Sequence, residues 1–173
     1  MREMDWPEPP PLAGVLIETG ALRVTLSALG GATLISGDLR AALDTLAPGA
    51  PMLGLGGAAP DAPFALRIAR DRVLLVTDAP LEAEPGWYAA GYATTPADDQ
   101  WSQVLVTGPD AGRVIAEGTA ADLGRGSPSA ALLFAGLTCL LLRREEDFAI
   151  MVETPRLWFL AEWLAAVAGD PRG

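Results

Sequence analysis

The C-terminal part of the chain carries the order of elements that most limits the fold. Residues 103–107 are a short run of β-formers, Gly108-Pro109 marks a corner, and residues 110–117 have helical character. Three strands and a closing helix are predicted to follow, at 132–134, 138–142, 148–153 and 154–169. This strand-rich order, with helices after the first strand and at the end, is typical of ferredoxin-like α+β units, here with a last strand supplied from elsewhere.

The N-terminal part predicts a shorter version of the same order. Asp38 is placed to cap a short helix, LRAALDTLA, and residues 51–63 are predicted as a loop rich in Gly, Ala and Pro. Residues 80–91 are predicted as a shortened helix that Pro85 and Gly86 interrupt. The remaining strands are predicted as one hairpin of 14–18 with 22–26, a second of 64–68 with 73–77, and a single strand at 91–95.

Length and proline content predict how the chain is divided. Residues 1–12, MREMDWPEPPPL, are predicted as a flexible proline-rich arm, because four prolines forbid a regular helix there. Residues 13–173 are then predicted as a single α+β domain of two intimately packed halves, each a ferredoxin-like β-α-β-β-α-β unit.

Charge and cysteine content exclude several classes of partner. The formal net charge is −10 and no basic cluster is present, which argues against nucleic acid and against anionic membrane surfaces. The longest uncharged run, 127–142, is too short and too broken to predict a membrane span. The start of the sequence lacks the apolar core that a signal peptide needs. Cys139 is the single cysteine, so no internal disulfide can form, and a cytoplasmic protein is expected.

The residue types that are missing limit the chemistry further. The sequence contains no His, no Lys and no Asn. Without His, the side chain that most readily transfers protons near neutral pH is absent, and without Lys neither a Schiff base nor a Walker-type phosphate clamp can form. One Cys and no His also exclude the usual structural zinc sites. We therefore predict no catalytic residue and no metal ligand.

Two glycine motifs resemble nucleotide-binding loops and are interpreted as structural. GLGGAA, residues 54–59, has the spacing G-x-G-x-x-A, but prolines on both sides prevent the strand and helix that a dinucleotide site requires. In TGPDAG, Gly108 permits a tight corner, and the carboxylate of Asp110 interacts favourably with the positive end of the following helix. Neither motif is followed by a phosphate-binding Lys, so a loop and a corner are predicted.

Carboxylate pairs and Cys139 are the remaining chemical candidates. General acid–base catalysis needs one carboxyl group buried away from its neighbour, whereas every pair here lies in a predicted turn. The pairs are Glu82/Glu84, Asp98/Asp99 and Glu145/Glu146. Cys139 lies in an apolar run with no His to activate it, so it is predicted to be buried and inert.

Three tryptophans are candidate partner contacts. Trp6 lies on the N-terminal arm and either folds back onto its own domain or contacts a partner. On the last helix a core-facing stripe is predicted from Leu157, Leu160, Ala161, Leu164 and Ala168. Trp158 and Trp163 are five positions apart, so at least one leaves that stripe. That residue either packs under a loop or forms a partner surface, and both interpretations stay open.

Three segments resemble a known family through the order and spacing of their elements, the third of them weakly. VLVTGPDAGRVIAEGTAADL, residues 104–123, resembles a strand–Gly-Pro–helix–Gly-x-x-x-Asp-Leu unit. LLLRREEDFAIMVETPRLWFLAEWL, residues 140–164, resembles an Arg-bearing hairpin and a closing helix, and DRVLLVTD, residues 71–78, weakly resembles an earlier hairpin strand. Together they are similar to the gamma-subunit family of heterotetrameric sarcosine oxidases, within the folate-binding-domain superfamily of the glycine-cleavage T-protein.

The resemblance implies a non-catalytic small subunit with a T-protein-like folate-binding-domain fold. Its complex would oxidatively demethylate sarcosine or a related N-methyl amine, with this chain bound to alpha and beta subunits. The resemblance places FAD, FMN, NAD and tetrahydrofolate on those partner subunits and none on this chain. The alternatives are a stand-alone folate-binding or one-carbon protein of the same superfamily, with Asp122 and Glu153 as candidate pterin ligands, and a homo-oligomer without a ligand.

Overall fold

The computed structural model describes residues 13–169, so the predicted proline-rich arm, residues 1–12, lies outside the described residues. Within 13–169 the chain forms twelve strands and three α-helices, which confirms the α+β class. None of these helices is long and apolar enough to cross a membrane. The strands are β1 Gly14–Glu18, β2 Arg23–Ser27, β3 Gly31–Gly37, β4 Met52–Leu53, β5 Phe64–Ala69, β6 Arg72–Thr77, β7 Gly86–Tyr88, β8 Tyr92–Pro96, β9 Trp101–Thr107, β10 Ala131–Phe134, β11 Leu137–Arg144 and β12 Asp147–Glu153. The helices are α1 Leu39–Leu46, α2 Ala111–Gly118 and α3 Leu157–Ala168.

The strands form two six-stranded sheets. Sheet A has the order β1-β2-β9-β12-β11-β10 and is antiparallel throughout. Sheet B has the order β4-β5-β6-β3-β8-β7 and is antiparallel except for the short β4–β5 pair. The predicted hairpins of 14–18 with 22–26 and of 64–68 with 73–77 are confirmed as β1–β2 and β5–β6. The strands predicted at 138–142 and 148–153 pair as a third hairpin, β11–β12.

The two sheets share one connectivity. In sheet A, β9 leads through α2 to β11 and β12, and β12 returns beside β9. In sheet B, β3 leads through α1 to β5 and β6, and β6 returns beside β3. The strand on the free side of β9 is β2, which comes from the N-terminal part of the chain. Sheet A therefore receives its last ferredoxin-like strand from elsewhere in the sequence, as predicted.

Three apolar clusters place the sheets and helices in layers. The inner faces of the two sheets pack against each other, for example through Leu140 and Met151 of sheet A and Leu66 and Leu74 of sheet B. The outer face of sheet A is covered by α2 and α3. The outer face of sheet B is covered by α1 and by part of the coil after β6, represented by Leu81.

Sequence patterns did not predict β3, although it is the strand that pairs with both β6 and β8 in sheet B. Its sequence, GATLISG, contains few strong β-formers. Its start is fixed by a close backbone approach, because a Cβ at Gly30 or Gly31 would collide with the carbonyls of Asp78 and Ala79. The Asp98 carboxylate also accepts a hydrogen bond of 2.8 Å from the Ala32 amide.

The helix predicted within 80–91 is wrong, so the N-terminal half lacks the second helix of a β-α-β-β-α-β unit. The segment runs as coil into the edge strand β7. Pro85 removes a backbone donor that a helix would need. The Glu84 carbonyl instead accepts hydrogen bonds from the Tyr88 hydroxyl at 2.6 Å and the Thr94 hydroxyl at 3.0 Å. Tyr88 then stacks on Tyr92 with ring centroids 4.7 Å apart.

Candidate functional site

The outer face of α3 is the most apolar exposed helix surface of the described residues. Trp158 and Phe159 are 44% and 50% exposed. Ala165 and Ala166 are also exposed, and Glu162 is the one charged residue on this side of the helix. A helix that is apolar on all sides is usually buried on all sides. We name this surface, formed by residues 158, 159, 162, 165 and 166, the α3 outer face.

The opposite side of α3 is fully occupied. Leu157, Leu160 and Leu164 are buried in the core over sheet A, as the predicted stripe required. Because these three residues anchor the helix, its rotation about its own axis is fixed. Residues one and two positions after a core residue do not lie on its face of a helix, so Trp158 and Phe159, which follow Leu157, are directed away from the core.

The beginning of α3 differs from the prediction. The closing helix is predicted over residues 154–169, but residues Thr154–Arg156 form a 3-10 turn that contains Pro155, and α3 begins at Leu157. The Leu157 amide donates to the Thr154 carbonyl. The Thr154 hydroxyl is instead 3.1 Å from the Ser102 hydroxyl of β9. This contact connects the start of α3 to the sheet and not to its own first turn.

Trp163 packs within the chain, unlike Trp158. Its ring meets Phe134 edge to face, with centroids 5.3 Å apart and planes at 74°. Phe134 in turn covers Gly118, where a Cβ would collide with its ring. The Gly118 carbonyl accepts a hydrogen bond of 2.7 Å from the Ala135 amide. Gly118 therefore permits the close contact of α2, β10 and α3 that partly buries Trp163.

The three tryptophans named from the sequence thus have different positions. Trp158 is exposed, Trp163 is half-buried, and Trp6 lies outside the described residues. Other exposed apolar side chains were not predicted from the sequence, and the two most exposed lie on edge strands. Trp87 of the edge strand β7 is 72% exposed and Leu133 of the edge strand β10 is 66% exposed. Trp87 was missed because its segment was assigned to a helix, whereas the Pro85-Gly86 pair before it was a usable turn signal.

The glycine-rich loop at 54–59 connects the two halves and does not form a cofactor cradle. The Leu55 amide donates to the Ser129 carbonyl at 3.0 Å, and the Ala59 amide donates to the Arg143 carbonyl at 2.9 Å. The Gly57 amide donates back to Gly54 within the loop. Amides that would have to face a pyrophosphate are therefore engaged by the protein, and β5 follows the loop where a helix would be needed.

The corner at Gly108 is also held by the protein. Gly108 has a φ of 105°, and its amide donates to the Asp147 carboxylate at 3.1 Å. The Asp110 amide donates to the Ala21 carbonyl at 3.1 Å, which connects the corner to the β1–β2 turn. The Asp110 side chain pairs with Arg113 at 3.2 Å, and this hydrogen bond contributes most to raising the pKa of Arg113. The corner is structural, as predicted.

The carboxylate candidates are not brought together into one site. Glu82, Glu84, Glu145 and Glu146 are exposed, and so is Asp99 beside the half-buried Asp98. Asp122 accepts the amides of Gly124 and Arg125 in a local turn. Glu153 lines a separate cavity of about 370 Å³ with Trp101 and Arg156. Within 13–169, no group of three or more His, Cys, Asp or Glu residues is placed to hold a metal ion.

Cys139 lies beneath the helix layer of sheet A. It is buried, as predicted. Loss of solvation raises the pKa of its thiol to about 12. A thiol that keeps its proton at neutral pH is a poor nucleophile. The residue therefore contributes apolar packing and no covalent chemistry.

The comparisons with known proteins support the fold. The class that the geometry defines is a two-sheet α+β sandwich with duplicated connectivity and helices on both outer faces. No protein-family model matches the chain, and no curated protein matches it either. Among solved structures, the chain is similar to a chain of the heterotetrameric sarcosine oxidase from Corynebacterium sp. U-96, in complex with pyrrole 2-carboxylate. The TM-score is 0.62 at 19% sequence identity, over 83% of this chain and 81% of that one. At this identity the similarity shows the fold.

Proposed function

We propose that this chain is the non-catalytic small (gamma) subunit of a heterotetrameric sarcosine oxidase-type complex. The fold similarity covers most of both chains and supports this family of assemblies. The observation that carries the proposal is the α3 outer face, where two large aromatic side chains are exposed on a helix anchored by three buried leucines. Aromatic residues on a rigid, apolar surface are typical anchors of protein interfaces.

In the proposed complex the chain supplies a surface, and its partners supply the chemistry. Its sequence lacks His and Lys, Cys139 keeps its proton, and at least one member of each carboxylate pair is exposed to solvent. These residues offer little for oxidising an N-methyl amine. FAD, FMN, NAD and tetrahydrofolate are accordingly proposed to bind the larger alpha and beta subunits. We propose the cytoplasm as the compartment, since a single cysteine leaves no internal disulfide to protect.

The test is purification of the complex from the native host through a tag on this chain. The expected product is a yellow, flavin-containing complex with large subunits that consumes oxygen when sarcosine is added. The chain purified alone is expected to show no sarcosine turnover. A colourless monomer that binds tetrahydrofolate would indicate the stand-alone folate-binding protein instead, and a colourless homo-oligomer would indicate a structural role.

Variants of the exposed aromatics locate the interface in that experiment. The double variant Trp158→Ser/Phe159→Ser is expected to fold but to lose the flavin-containing subunits. The matched control is Trp87→Ser, which removes an equally large exposed aromatic from sheet B, away from α3. Loss of the partners in the control alone would place the interface on β7 and overturn the assignment to α3.

A further inference from the structure

A second feature, separate from the α3 outer face, is the cavity of about 370 Å³ at the end of sheet A where β9 begins and β12 ends. Trp101 of β9 and Glu153 of β12 are directly opposite each other in the sheet. The turn between β10 and β11 and the 3-10 turn before α3 form the other walls. The lining residues are Trp101, Gly136, Leu137, Thr138, Glu153 and Arg156. We name this space the Trp101 groove.

The indole N–H of Trp101 is the unusual group of this groove. Its Nε1 atom is buried and has no hydrogen-bond partner among residues 13–169. The ring packs partly against the apolar cluster between the two sheets, which holds the indole in place. A buried donor without an acceptor is costly, and nearly all buried polar groups have a partner. Because the indole N–H only donates, the missing partner is an acceptor that packs directly on the ring.

The proline-rich arm, residues 1–12, contains acceptors of this kind. Residues 9–11 are three consecutive prolines, which have no backbone N–H and therefore offer only carbonyl oxygens. A polyproline II helix makes no internal hydrogen bonds, so these carbonyls are available to a donor. Grooves lined by aromatic side chains are the usual binding sites of such segments. The arm therefore matches the group that Trp101 lacks.

The direction of β1 leads to the same groove. Gly14 lies level with Val104 of β9, with β2 between them. Because β1 and β9 run in the same direction, β1 followed back to its first residue points to the end of sheet A where Trp101 lies. Two strand spacings and three residues along the strand separate Gly14 from Trp101, about 14 Å in total. About four or five residues in polyproline II conformation span this distance, which brings residues 9–10 to the indole.

We propose that residues 7–11 of this chain bind in the Trp101 groove, where a carbonyl of the proline run accepts the hydrogen bond of the Trp101 indole. Glu8 pairs with Arg156, which is exposed and takes part in no ion pair within the described part of the chain. This docking places Trp6 against its own domain, one of the two positions that its sequence left open. The inference does not depend on the proposed subunit role, because it uses no residue of the α3 outer face.

The test is a paramagnetic label on the arm of the full chain. A nitroxide is attached to Met4→Cys in the Cys139→Ala background, and the indole N–H signals of isotope-labelled protein are recorded by NMR. The Trp101 signal is expected to lose most of its intensity. The control is Trp87 on the edge strand of sheet B, whose signal is expected to persist. Equal intensities of these two signals in the presence of the label would overturn the proposal.

A mixture of two samples assigns the arm to its own chain. Protein with the nitroxide but without the isotope is mixed with isotope-labelled protein that carries no nitroxide. The Trp101 signal of the mixture is expected to keep its full intensity. Loss of intensity would show that the arm of a second copy occupies the groove, and the proposal would be wrong.

A variant of the proline run separates the arm from solvent as the partner of the indole. The triple variant P9G/P10G/P11G keeps the carbonyls but loses the stiff polyproline II conformation. The Trp101 indole N–H is then expected to exchange with solvent about fivefold faster or more, the ratio that one neutral hydrogen bond provides. These changes lie outside residues 13–169, so the core of the domain is untouched. Exchange at the parent's rate would show that the arm does not bind the indole.

A matched pair of charge variants tests which part of the arm lies in the groove. Glu8→Gln removes the proposed partner of Arg156 and is expected to speed exchange of the Trp101 indole N–H about twofold, as the loss of an exposed ion pair predicts. Glu3→Gln removes a carboxylate outside residues 7–11 and is expected to leave exchange unchanged. Faster exchange in Glu3→Gln than in Glu8→Gln would overturn the assignment of residues 7–11 to the groove.

Discussion

Sheet A and sheet B have the same strand connectivity but differently covered outer faces. On sheet A, the core beneath α2 and α3 contains Leu157, Leu160 and Leu164. On sheet B, α1 is the one helix, and the coil that contains Leu81 takes the place of a second. The helix without a counterpart, α3, is also the one with an apolar outer face. The comparison indicates that α3 has two roles, core packing on one side and partner binding on the other.

The largest expected effect tests the first role. Leu160→Ala, in a fully buried position, is expected to lower the free energy of unfolding by about 2–5 kcal/mol, since it removes apolar burial and leaves a cavity. Leu43→Ala on α1 is the matched change on sheet B, and its smaller expected loss follows from its residual exposure and the shorter helix. Urea unfolding followed by circular dichroism measures both. An equal or larger loss for Leu43→Ala would remove the distinction between the two outer faces.

A smaller effect is expected at the junction of α2, β10 and α3. Gly118→Ala places a methyl group against the Phe134 ring, which Trp163 contacts, so a loss of about 1–3 kcal/mol is expected from overpacking. Gly112→Ala, in the same helix but beside open space, is the control and is expected to stabilise by about 0.5–1 kcal/mol through helix propensity. Thermal unfolding of both variants measures these two changes in stability. Two variants of equal stability would show that the helix layer of sheet A is loosely packed.

The burial of Cys139 in the same layer is expected to make the free energy of unfolding depend on pH. Burial raises the pKa of its thiol from 9.0 to about 12. Above pH 9 the unfolded chain releases this proton while the folded chain keeps it. The contribution of the thiol to the free energy of unfolding is therefore complete below pH 9 and is lost as pH rises towards 12. Urea unfolding at pH 8 and pH 10 is expected to show this loss in the parent and a smaller one in Cys139→Ala. The same loss in both proteins would assign the pH dependence to other groups.

A thiol introduced under the outer layer of sheet B allows the opening of the two outer layers to be compared directly. Ala65 is buried on the outer side of sheet B, beneath α1, as Cys139 is beneath α2 and α3. Ala65→Cys in the Cys139→Ala background is expected to react faster with a thiol reagent than Cys139 does, because one helix and a coil open more readily than two helices. Slower labelling at position 65 would reverse the expected order of the two layers.

The parts of the fold that the sequence predicted are those fixed by local rules. The β5–β6 hairpin joins two largely apolar runs through a polar turn, and the Asp38 side chain accepts the Ala41 amide at the start of α1 as a cap should. β3 could not be found in this way, because its place depends on contacts with Asp78 and Ala79, more than forty residues away. Strand pairing and burial outweigh weak local propensity in such a strand.

For the candidate site, too, only the part that depends on local spacing could be predicted from the sequence. The spacing of Trp158 and Trp163 showed that both could not face the core. Which of them is exposed depends on Phe134 and Gly118, residues of two other elements, and periodicity on α3 contains no information about them.

The smallest expected effect on stability tests the second role of α3. Trp158→Ser is expected to change the free energy of unfolding by no more than about 0.5 kcal/mol, because an exposed side chain leaves no cavity. Trp163→Ser is the control on the same helix and is expected to cost about 1 kcal/mol or more, since it loses the edge-to-face contact with Phe134 as well as burial. Urea unfolding of the isolated chain measures both.

The Trp158 result decides whether α3 separates its two roles. If Trp158→Ser leaves the isolated chain intact and still removes the partner subunits, the indole is retained for association and not for folding. If it destabilises the isolated chain as much as Trp163→Ser, the indole packs within the chain, and α3 is a core helix with no surface reserved for a partner. The contrast between sheet A and sheet B would then concern stability alone, and the proposed interface would have to lie elsewhere, with Trp87 and Leu133 the next positions to test.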